Sequence, residues 1–347
     1  MEWADFRSDT VTQPTAAMRA AMAQAEVGDD VFGEDPTVQQ LEKVAAKRVG
    51  MEAALFVASG TMGNLTAVLT HCERGDEIIL GDRSHTFLHE AGGVSALGGV
   101  HPHSVRNQSD GTLDPQEIIG AIRAVDDHFP TSRLIILENT HNHSGGTPLS
   151  ADYIRQVGGL AREHDLRLHM DGARIFNAAI ALGSSPAELA APVDSITFCL
   201  SKGLCAPVGS LLCGPAEFIR QARRTRKQLG GGMRQAGILA AAGIVALESM
   251  VDRLAEDHQR ARRLAAGLAG IPGVQVEHDP PPTNMVYFRL DPQRGVTTQD
   301  LVQALASRGV RLTARNPYRM RMVVHYWIDD DAVERAVEGI SAAMSGP

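Results

Sequence analysis

With 347 residues, of which 44% are hydrophobic, the chain can bury the core of one large α/β domain and a smaller companion. Its formal net charge of -8 argues against a nucleic-acid partner. No window approaches the roughly 20 apolar residues that cross a bilayer, and the start Met1-Glu2-Trp3-Ala4-Asp5 lacks the basic and apolar parts of a secretory signal, so a cytoplasmic protein with no membrane partner is expected.

Four cysteines, Cys72, Cys199, Cys205 and Cys213, show no C-x-x-C spacing, so neither a disulfide framework nor a metal site is expected. The chain opens on a short polar stretch, Phe6 to Thr12, followed by an Ala/Met-rich helix over 14–25 with Pro14 in its first turn. Gly28-Asp29-Asp30-Val31-Phe32-Gly33-Glu34-Asp35-Pro36 is dense in turn formers and acids and reads as a solvated loop leading to an amphipathic helix over 37–49. From Ala54 onward short apolar strands alternate with helical segments, which argues for a mostly parallel sheet covered on both faces. The strands are predicted at 55–58, 77–80, 134–138, 166–170, 195–200 and 210–213, with helices at 65–69, at about 86–96 and, rich in Ala and Leu, between 235 and 269.

Three strand ends carry the candidate chemistry. The run Ser195-Ile196-Thr197-Phe198-Cys199-Leu200 ends at Lys202, and an amine at the mouth of an apolar site sheds hydration, which favours the neutral form that attacks a carbonyl carbon. Upstream, Leu166 to Met170 ends in Asp171. Strand ends of one polarity line one crevice, so Asp171 and Lys202 can face one ligand. A pyridoxal phosphate ring needs both, a lysine for its aldehyde carbon and a buried carboxylate for its pyridine nitrogen. After the first strand, Ser59-Gly60-Thr61-Met62-Gly63-Asn64 turns into a helix whose N-terminus suits a phosphate. Read singly, each has a plainer use: Lys202 as a solvated charge, Asp171 as a helix cap, the Ser-Gly turn as geometry alone.

Other candidates are less isolated from ordinary surface roles. His85 opens a helix just past a strand end, where its ring can stack on a flat cofactor or serve as a cap. His128 stands in the polar turn Asp126-Asp127-His128-Phe129-Pro130, where a surface role is favoured. The stretch Arg220 to Gln235 gathers Arg220, Arg223, Arg224, Arg226, Lys227 and Arg234 about Gly230-Gly231-Gly232, which suits an anion, another subunit, or a solvated helix face. Beyond Ile271-Pro272-Gly273 and Pro280-Pro281-Pro282 the pattern changes to a small α+β domain, with strands at 285–290 and 322–327, a helix at 299–308 and a last helix from Asp330. The boundary is placed at 252/253, with an N-terminal arm and large domain over 1–252 and the small domain over 253–347. Arg315, Arg319 and Arg321 stand at or before the last strand, where one can bind a carboxylate bidentately.

These motifs together resemble the L-type threonine aldolases, pyridoxal-phosphate enzymes of aspartate-aminotransferase (fold type I) architecture. The carriers are Arg7-Ser8-Asp9-Thr10, the Gly28–Pro36 stretch, Ser59 to Asn64, Glu138-Asn139-Thr140-His141-Asn142, Asp171-Gly172-Ala173-Arg174-Ile175-Phe176-Asn177, Ser201-Lys202-Gly203-Leu204 and Gly230-Gly231-Gly232-Met233-Arg234-Gln235, spread over nearly the whole chain. The resemblance implies an α/β fold with a mostly parallel seven-stranded-type sheet and a smaller C-terminal α+β domain. It implies that Lys202 forms a Schiff base with pyridoxal phosphate, Asp171 pairs with the ring nitrogen, Gly60 and Thr61 hold the phosphate and His85 stacks over the ring. Ser8, Arg174 and Arg321 would grip the amino-acid carboxylate, and Arg174, Lys227 and Arg234 would lie by the cofactor. His128 would lie near the substrate hydroxyl, and a homotetramer would share its sites between subunits. His143-Ser144-Gly145-Gly146 departs from the family, and Arg319, on the same strand face as Arg321, competes for the carboxylate.

The implied reaction is cleavage of threonine or a related β-hydroxy-α-amino acid to glycine and an aldehyde, with His85, His128 or water as the base. β-Elimination or transamination on the same scaffold is the nearest alternative. A regulator with a degenerate site is the other, and no DNA-binding segment is expected before Met1.

Overall fold

The computed structural model describes residues 3–345. It divides into a larger unit, Pro14–Val251, and a smaller one formed by the described residues before Pro14 and after Val251. Strand β1 (Ala4–Asp5) belongs to the smaller unit. The N-terminal arm therefore goes with the C-terminal residues and not with the large domain to which the sequence reading assigned it.

The larger unit is built on seven strands: β2 (Ala53–Val57), β3 (Asp76–Gly81), β4 (His101–Val105), β5 (Thr131–Glu138), β6 (Arg167–Asp171), β7 (Ser195–Cys199) and β8 (Ser210–Gly214). They are ordered β2-β8-β7-β6-β5-β3-β4. The run from β7 to β4 is parallel, and β8 is antiparallel to both of its neighbours. The central strands β3, β6, β7 and β8 are almost wholly buried because helices cover both faces, which is why they read as continuous apolar runs. β4 escaped the sequence reading because His101, Pro102, His103 and Ser104 carry no apolar run. It is an edge strand, where an unpaired proline is tolerated.

The helix Gly60–His71 starts five residues before its predicted beginning, with Ser59 accepting the Met62 N–H. It lies close on the sheet, because a Cβ at Gly63 would come within 2.5 Å of Thr197 Cγ2 on β7. Its Leu65 and Val68 pack with Ile78, Leu80 and Ile136 of β3 and β5. The helix predicted over 86–96 is two short ones, His85–Leu88 and Gly93–Ala96, parted by left-handed backbone at Ala91 and Gly92. In the acidic stretch 28–36, expected to be solvated, 31–34 are exposed but Asp30 and Asp35 turn inward. Buried Asp30 pairs with the Arg226 guanidinium at 2.8 Å, and Asp35 caps the helix Pro36–Val49 while accepting the Gly237 N–H at 2.8 Å.

The smaller unit holds an antiparallel sheet made of β9 (Val274–Val276), β10 (Met285–Leu290) and, beyond the two-residue β11 (Val310–Arg311), β12 (Arg319–Val323), in the order β12-β10-β9. β1 pairs in parallel with β11, and Phe6 enters a core with Leu264, Phe288, Met322 and Val324. β12 begins earlier than the strand predicted at 322–327 and also stops earlier. Met320 and Met322 alternate inward against half-exposed Arg319 and Arg321, a period-two pattern hidden by the arginines.

Gly63→Ala is expected to push the helix Gly60–His71 off β7 and cost about 1–3 kcal/mol, as overpacked positions do. A thermal unfolding midpoint equal to that of the wild type would show that the helix has room to shift.

Candidate active site

The parallel strands β3, β5, β6 and β7 all present their carboxyl ends on one side of the larger unit, the side where open α/β sheets bind ligands. Glu138 ends β5, and its register partner Asp171 ends β6 and is itself paired with Thr197 of β7. Lys202 follows β7 in a turn closed by the Cys205 N–H on the Lys202 carbonyl at 3.0 Å. His85 follows β3, and its N–H donates to Glu138 Oε2 at 2.7 Å. The topology thus brings His85, Asp171 and Lys202 to one edge. The charges of Asp171 and Lys202 both act on the His85 imidazole, Asp171 favouring its proton and Lys202 opposing it.

Asp171 is only 3% exposed, yet donors reach both of its oxygens. The Ala173 N–H donates to Oδ1 at 3.1 Å and the Asn64 side-chain amide to Oδ2 at 2.9 Å. Behind Asn64 runs a chain of buried polar groups: His169 Nε2 is 3.2 Å from Asn64 Oδ1, His169 Nδ1 is 2.8 Å from Ser195 Oγ, and His71 Nε2 is 2.8 Å from the same hydroxyl. Burial pushes the pKa of His169 down to about 4 and that of His71 to about 3, so both rings are neutral at pH 7. Neutral imidazoles leave one consistent direction. His71 donates to Ser195, Ser195 to His169, His169 to the Asn64 oxygen, and the Asn64 N–H groups to the carboxylates.

The same Asn64 amide donates to Glu90 Oε1 at 2.8 Å, and His85 Nδ1 donates to that oxygen at 2.8 Å. Burial raises the Glu90 pKa, with the Asp171 charge adding to it. The bond to Glu90 in turn raises the pKa of His85. Buried Glu90 Oε2 has no partner among the described residues. Glu138 accepts from His85 and, at 2.8 Å, from the Asn142 N–H, and burial beside Asp171 raises its pKa to about 7. His85, Glu90 and Asp171 have ligand atoms within 4.8 Å of one another, close enough for a metal ion. The Asn64 N–H groups directed at both carboxylates present the wrong polarity for one.

The residues fit pyridoxal phosphate on three counts. Asp171 is a buried carboxylate held by donors, as a protonated pyridine nitrogen requires. The first-turn N–H groups of Gly60 and Thr61 lie beyond the reach of intrahelical carbonyls, which makes an anion site. A Cβ at Gly60 would come within 2.9 Å of Cys199 Sγ, so only glycine lets that turn sit against the end of β7. Arg174, largely buried, stands three residues after Asp171 at the start of the helix Ile175–Leu182, with no capping hydrogen bond from its side chain. Lys227 lies along the glycine turn, where a Cβ at Gly232 would meet its Nζ at 3.1 Å. Arg234 pairs with Asp29 at 2.8 Å with its side chain 57% exposed, so within one chain it serves the acidic stretch.

His128 is not brought to this edge. It lies before the start of β5, at the opposite end from Glu138, with its side chain 88% exposed and paired with Asp126. A turn feeding the amino end of a parallel strand cannot reach the carboxyl end within one chain. In the smaller unit, Arg319 is committed to Glu277 by two bonds of 2.8 and 2.7 Å and lies over the Tyr287 ring. Arg321 donates to the Arg7 carbonyl at 3.1 Å, next to Ser8. The sequence reading named neither Asn64, Glu90, Glu138, His169 nor Ser195 as functional. Asn64 and Glu138 stood in the quoted motifs, but a polar residue inside a helix or strand pattern shows its role only once its partner is in place.

A profile of the Beta-eliminating lyase family matches residues 5–291 of the chain. Low-specificity L-threonine aldolase 1 of Arabidopsis thaliana is 48% identical over 347 residues, covering 99% of this chain and 97% of that one. Low specificity L-threonine aldolase of Escherichia coli K12 is 46% identical over 321 residues, covering 92% and 93%. In fold, the threonine aldolase of Leishmania major superposes with a TM-score of 0.82 at 19% identity, over 99% of this chain and 100% of that one. A serine palmitoyltransferase of Sphingomonas wittichii gives 0.78 at 19% identity, over 98% and 87%.

The raised pKa of Glu138 makes a signed prediction. Its proton is held more tightly in the folded chain than in the unfolded one, so its contribution to stability is present below the ordinary carboxylate pKa of about 4.5 and is lost as pH rises through about 7. Urea midpoints of Glu138→Gln measured from pH 5.5 to pH 8.5 are expected to gain on the wild type as pH rises. A constant difference would show that Glu138 does not titrate in that window.

Proposed function

The chain belongs to the Beta-eliminating lyase family, among its low-specificity L-threonine aldolases, and on that premise we propose that the edge holding Asp171, His85 and Lys202 is its catalytic centre. The enzyme is a pyridoxal-phosphate-dependent carbon–carbon lyase that cleaves L-threonine, L-allo-threonine and related β-hydroxy-α-amino acids to glycine and an aldehyde. The observation that carries the site assignment is the buried Asp171 carboxylate with donors on both oxygens, at the strand end beside the one that leads to Lys202.

Bound pyridoxal phosphate supplies the electron sink that makes the bond between Cα and Cβ breakable. Lys202 offers the amine for the cofactor's aldehyde carbon, Asp171 the carboxylate for its ring nitrogen, and Gly60 and Thr61 the N–H groups for its phosphate. His85 presents a ring face, fixed at Nδ1 by Glu90 and at its N–H by Glu138. Its Nε2 is the atom from which a proton on the substrate hydroxyl can be held or taken, directly or through water. Ser8, Arg174 and Arg321 are the residues proposed for the α-carboxylate, and which substrate bond breaks follows from how that group is held. Lys227 and Arg234 add positive charge for the cofactor. His128 has no place in the site of its own chain, and in this reading it acts only from a neighbouring subunit.

The assembly in this reading is a homotetramer, consistent with exposed apolar side chains at Phe32, Leu88 and Leu97, and light scattering tests it. No helix among the described residues is long and apolar enough to cross a membrane, and a cytoplasmic enzyme is proposed.

Incubation with L-threonine is expected to release acetaldehyde and glycine in equal amounts, whereas pyruvate or 2-oxobutyrate with ammonia would favour elimination. Lys202→Ala should lose both the borohydride-reducible chromophore and aldehyde release. Asp171→Asn should cut kcat by about 10²–10³, the range for removing one preorganised electrostatic partner. Full turnover in the Lys202 variant would end the assignment.

Arg321→Lys should raise KM for threonine about 10- to 100-fold, the range of a charge-assisted hydrogen bond worth about 1.5–3 kcal/mol. Arg319→Lys, whose partner is Glu277, should leave KM within a few-fold. The reverse ranking would move the carboxylate role to Arg319.

A further inference from the structure

Glu138 is buried at the end of β5, 5% exposed, with both carboxyl oxygens engaged. Oε2 accepts the His85 N–H at 2.7 Å and Oε1 the Asn142 N–H at 2.8 Å, so one side chain clasps the two segments that leave β3 and β5. The first of these segments carries the His85 ring, whose Nδ1 is tied to Glu90 at 2.8 Å. Asp171 is the register partner of Glu138 on β6, so the two carboxyl groups leave neighbouring strands on one face of the sheet, about 4.8 Å apart at the backbone. At that range two buried like charges repel strongly.

The protein's own charges that act on Glu138 are Asp171 from β6 and His85 from the segment after β3, with Glu90 and Lys202 acting in turn on His85. His141, three residues along the segment after β5, stays neutral, since burial pushes its pKa down to about 4. Burial first, and then the Asp171 charge, raise the Glu138 pKa to about 7 against the lowering by its two N–H donors. A proton held there weakens the clasp, because a hydrogen bond to a carboxylate is roughly twice as strong as one to a neutral acid.

We propose that Glu138 is a positioning residue whose clasp on the His85 segment tightens when the cofactor is loaded. The proposal rests on the reading above in which Asp171 meets the ring nitrogen. A protonated pyridine nitrogen sets a positive charge against Asp171, and that charge offsets the repulsion between the two carboxyl groups. The O–H bond of Glu138 then breaks, its proton passes to the buffer, and the carboxylate left behind holds the His85 and Asn142 N–H groups more firmly. Contact at the ring nitrogen thereby steadies the turn that presents the imidazole to the ring face. A group whose pKa falls on binding releases a proton, so this carboxyl makes cofactor affinity climb as pH rises to about 7 and level off above it.

The test strips the full-length enzyme of cofactor and reloads it with pyridoxal phosphate in buffers of different ionisation enthalpy, so that calorimetry counts the protons exchanged. At pH 7 the wild type is expected to release up to about half a proton more than Glu138→Gln, and the excess should vanish by about pH 9. The His85 amide should exchange with deuterium more slowly after loading, with a smaller gain in the variant. A second measurement needs the wild type alone. The amide proton shifts of His85 and Asn142 should titrate together with an apparent midpoint near 7 before loading and at lower pH after it. Equal proton counts in wild type and a folded variant, or amide midpoints that stay in place on loading, would overturn the clasp. A wild-type protein that forms no borohydride-reducible chromophore with pyridoxal phosphate would instead overturn the reading of the site.

Discussion

A carboxylate taken out of water at the end of a central strand is tolerable only when donors replace its hydration, and Asp171 depends on that replacement. The Ala173 N–H serves one oxygen and the Asn64 amide the other. Asn64 can serve it because the helix Gly60–His71 lies hard against the sheet at Gly63, one residue before it in the sequence. The first turn of the same helix supplies the N–H groups for an anion, so one close approach sets the positions of two cofactor-binding features at once. A larger residue at Gly60 or Gly63 would displace both.

The neighbouring acids divide the remaining work by what they accept. Glu90 takes a side-chain N–H from Asn64 and one from His85, and so fixes the imidazole relative to Asp171. Glu138 takes two backbone N–H groups, and so fixes where the segments after β3 and β5 begin. Three carboxyl groups in a dry region cannot all carry charge cheaply. Burial and the charge of Asp171 raise the pKa of both Glu90 and Glu138.

The alternation of apolar runs with helical segments made the α/β class legible, because strands buried on both faces cannot hide their composition. The ends of those strands were legible too, since Asp171 and Lys202 each interrupt an apolar run abruptly. β4 was not, because an edge strand needs little apolar surface. Nor was the outward–inward alternation of β12, masked by two arginines. Phe6 gave no sign of which unit it would enter, since a short polar segment carries no periodicity. The inward turn of Asp30 depended on Arg226, nearly two hundred residues away, and nothing local marks such a pair. His128 precedes a strand whose far end carries the chemistry, a matter of topology that its own polar turn does not show. The supporting shell of Asn64, His169 and Ser195 was invisible for the same reason as Asp30, since each is defined by a partner and not by its own surroundings.

The single direction of the His71–Ser195–His169–Asn64 chain has a further bearing on how such a site tolerates change. Each of the two rings and the hydroxyl gives one hydrogen along the chain, and the Asn64 amide ends it by giving two, so the links behave like a row of turnstiles that all open the same way. Reversing the amide of Asn64 alone would set its oxygen against two carboxylates and its nitrogen against a ring N–H. Turning every group back to His71 would repair the ring contact but leave that oxygen against the carboxylates. The four groups therefore hold one another's direction, although only the last of them touches the acid they serve.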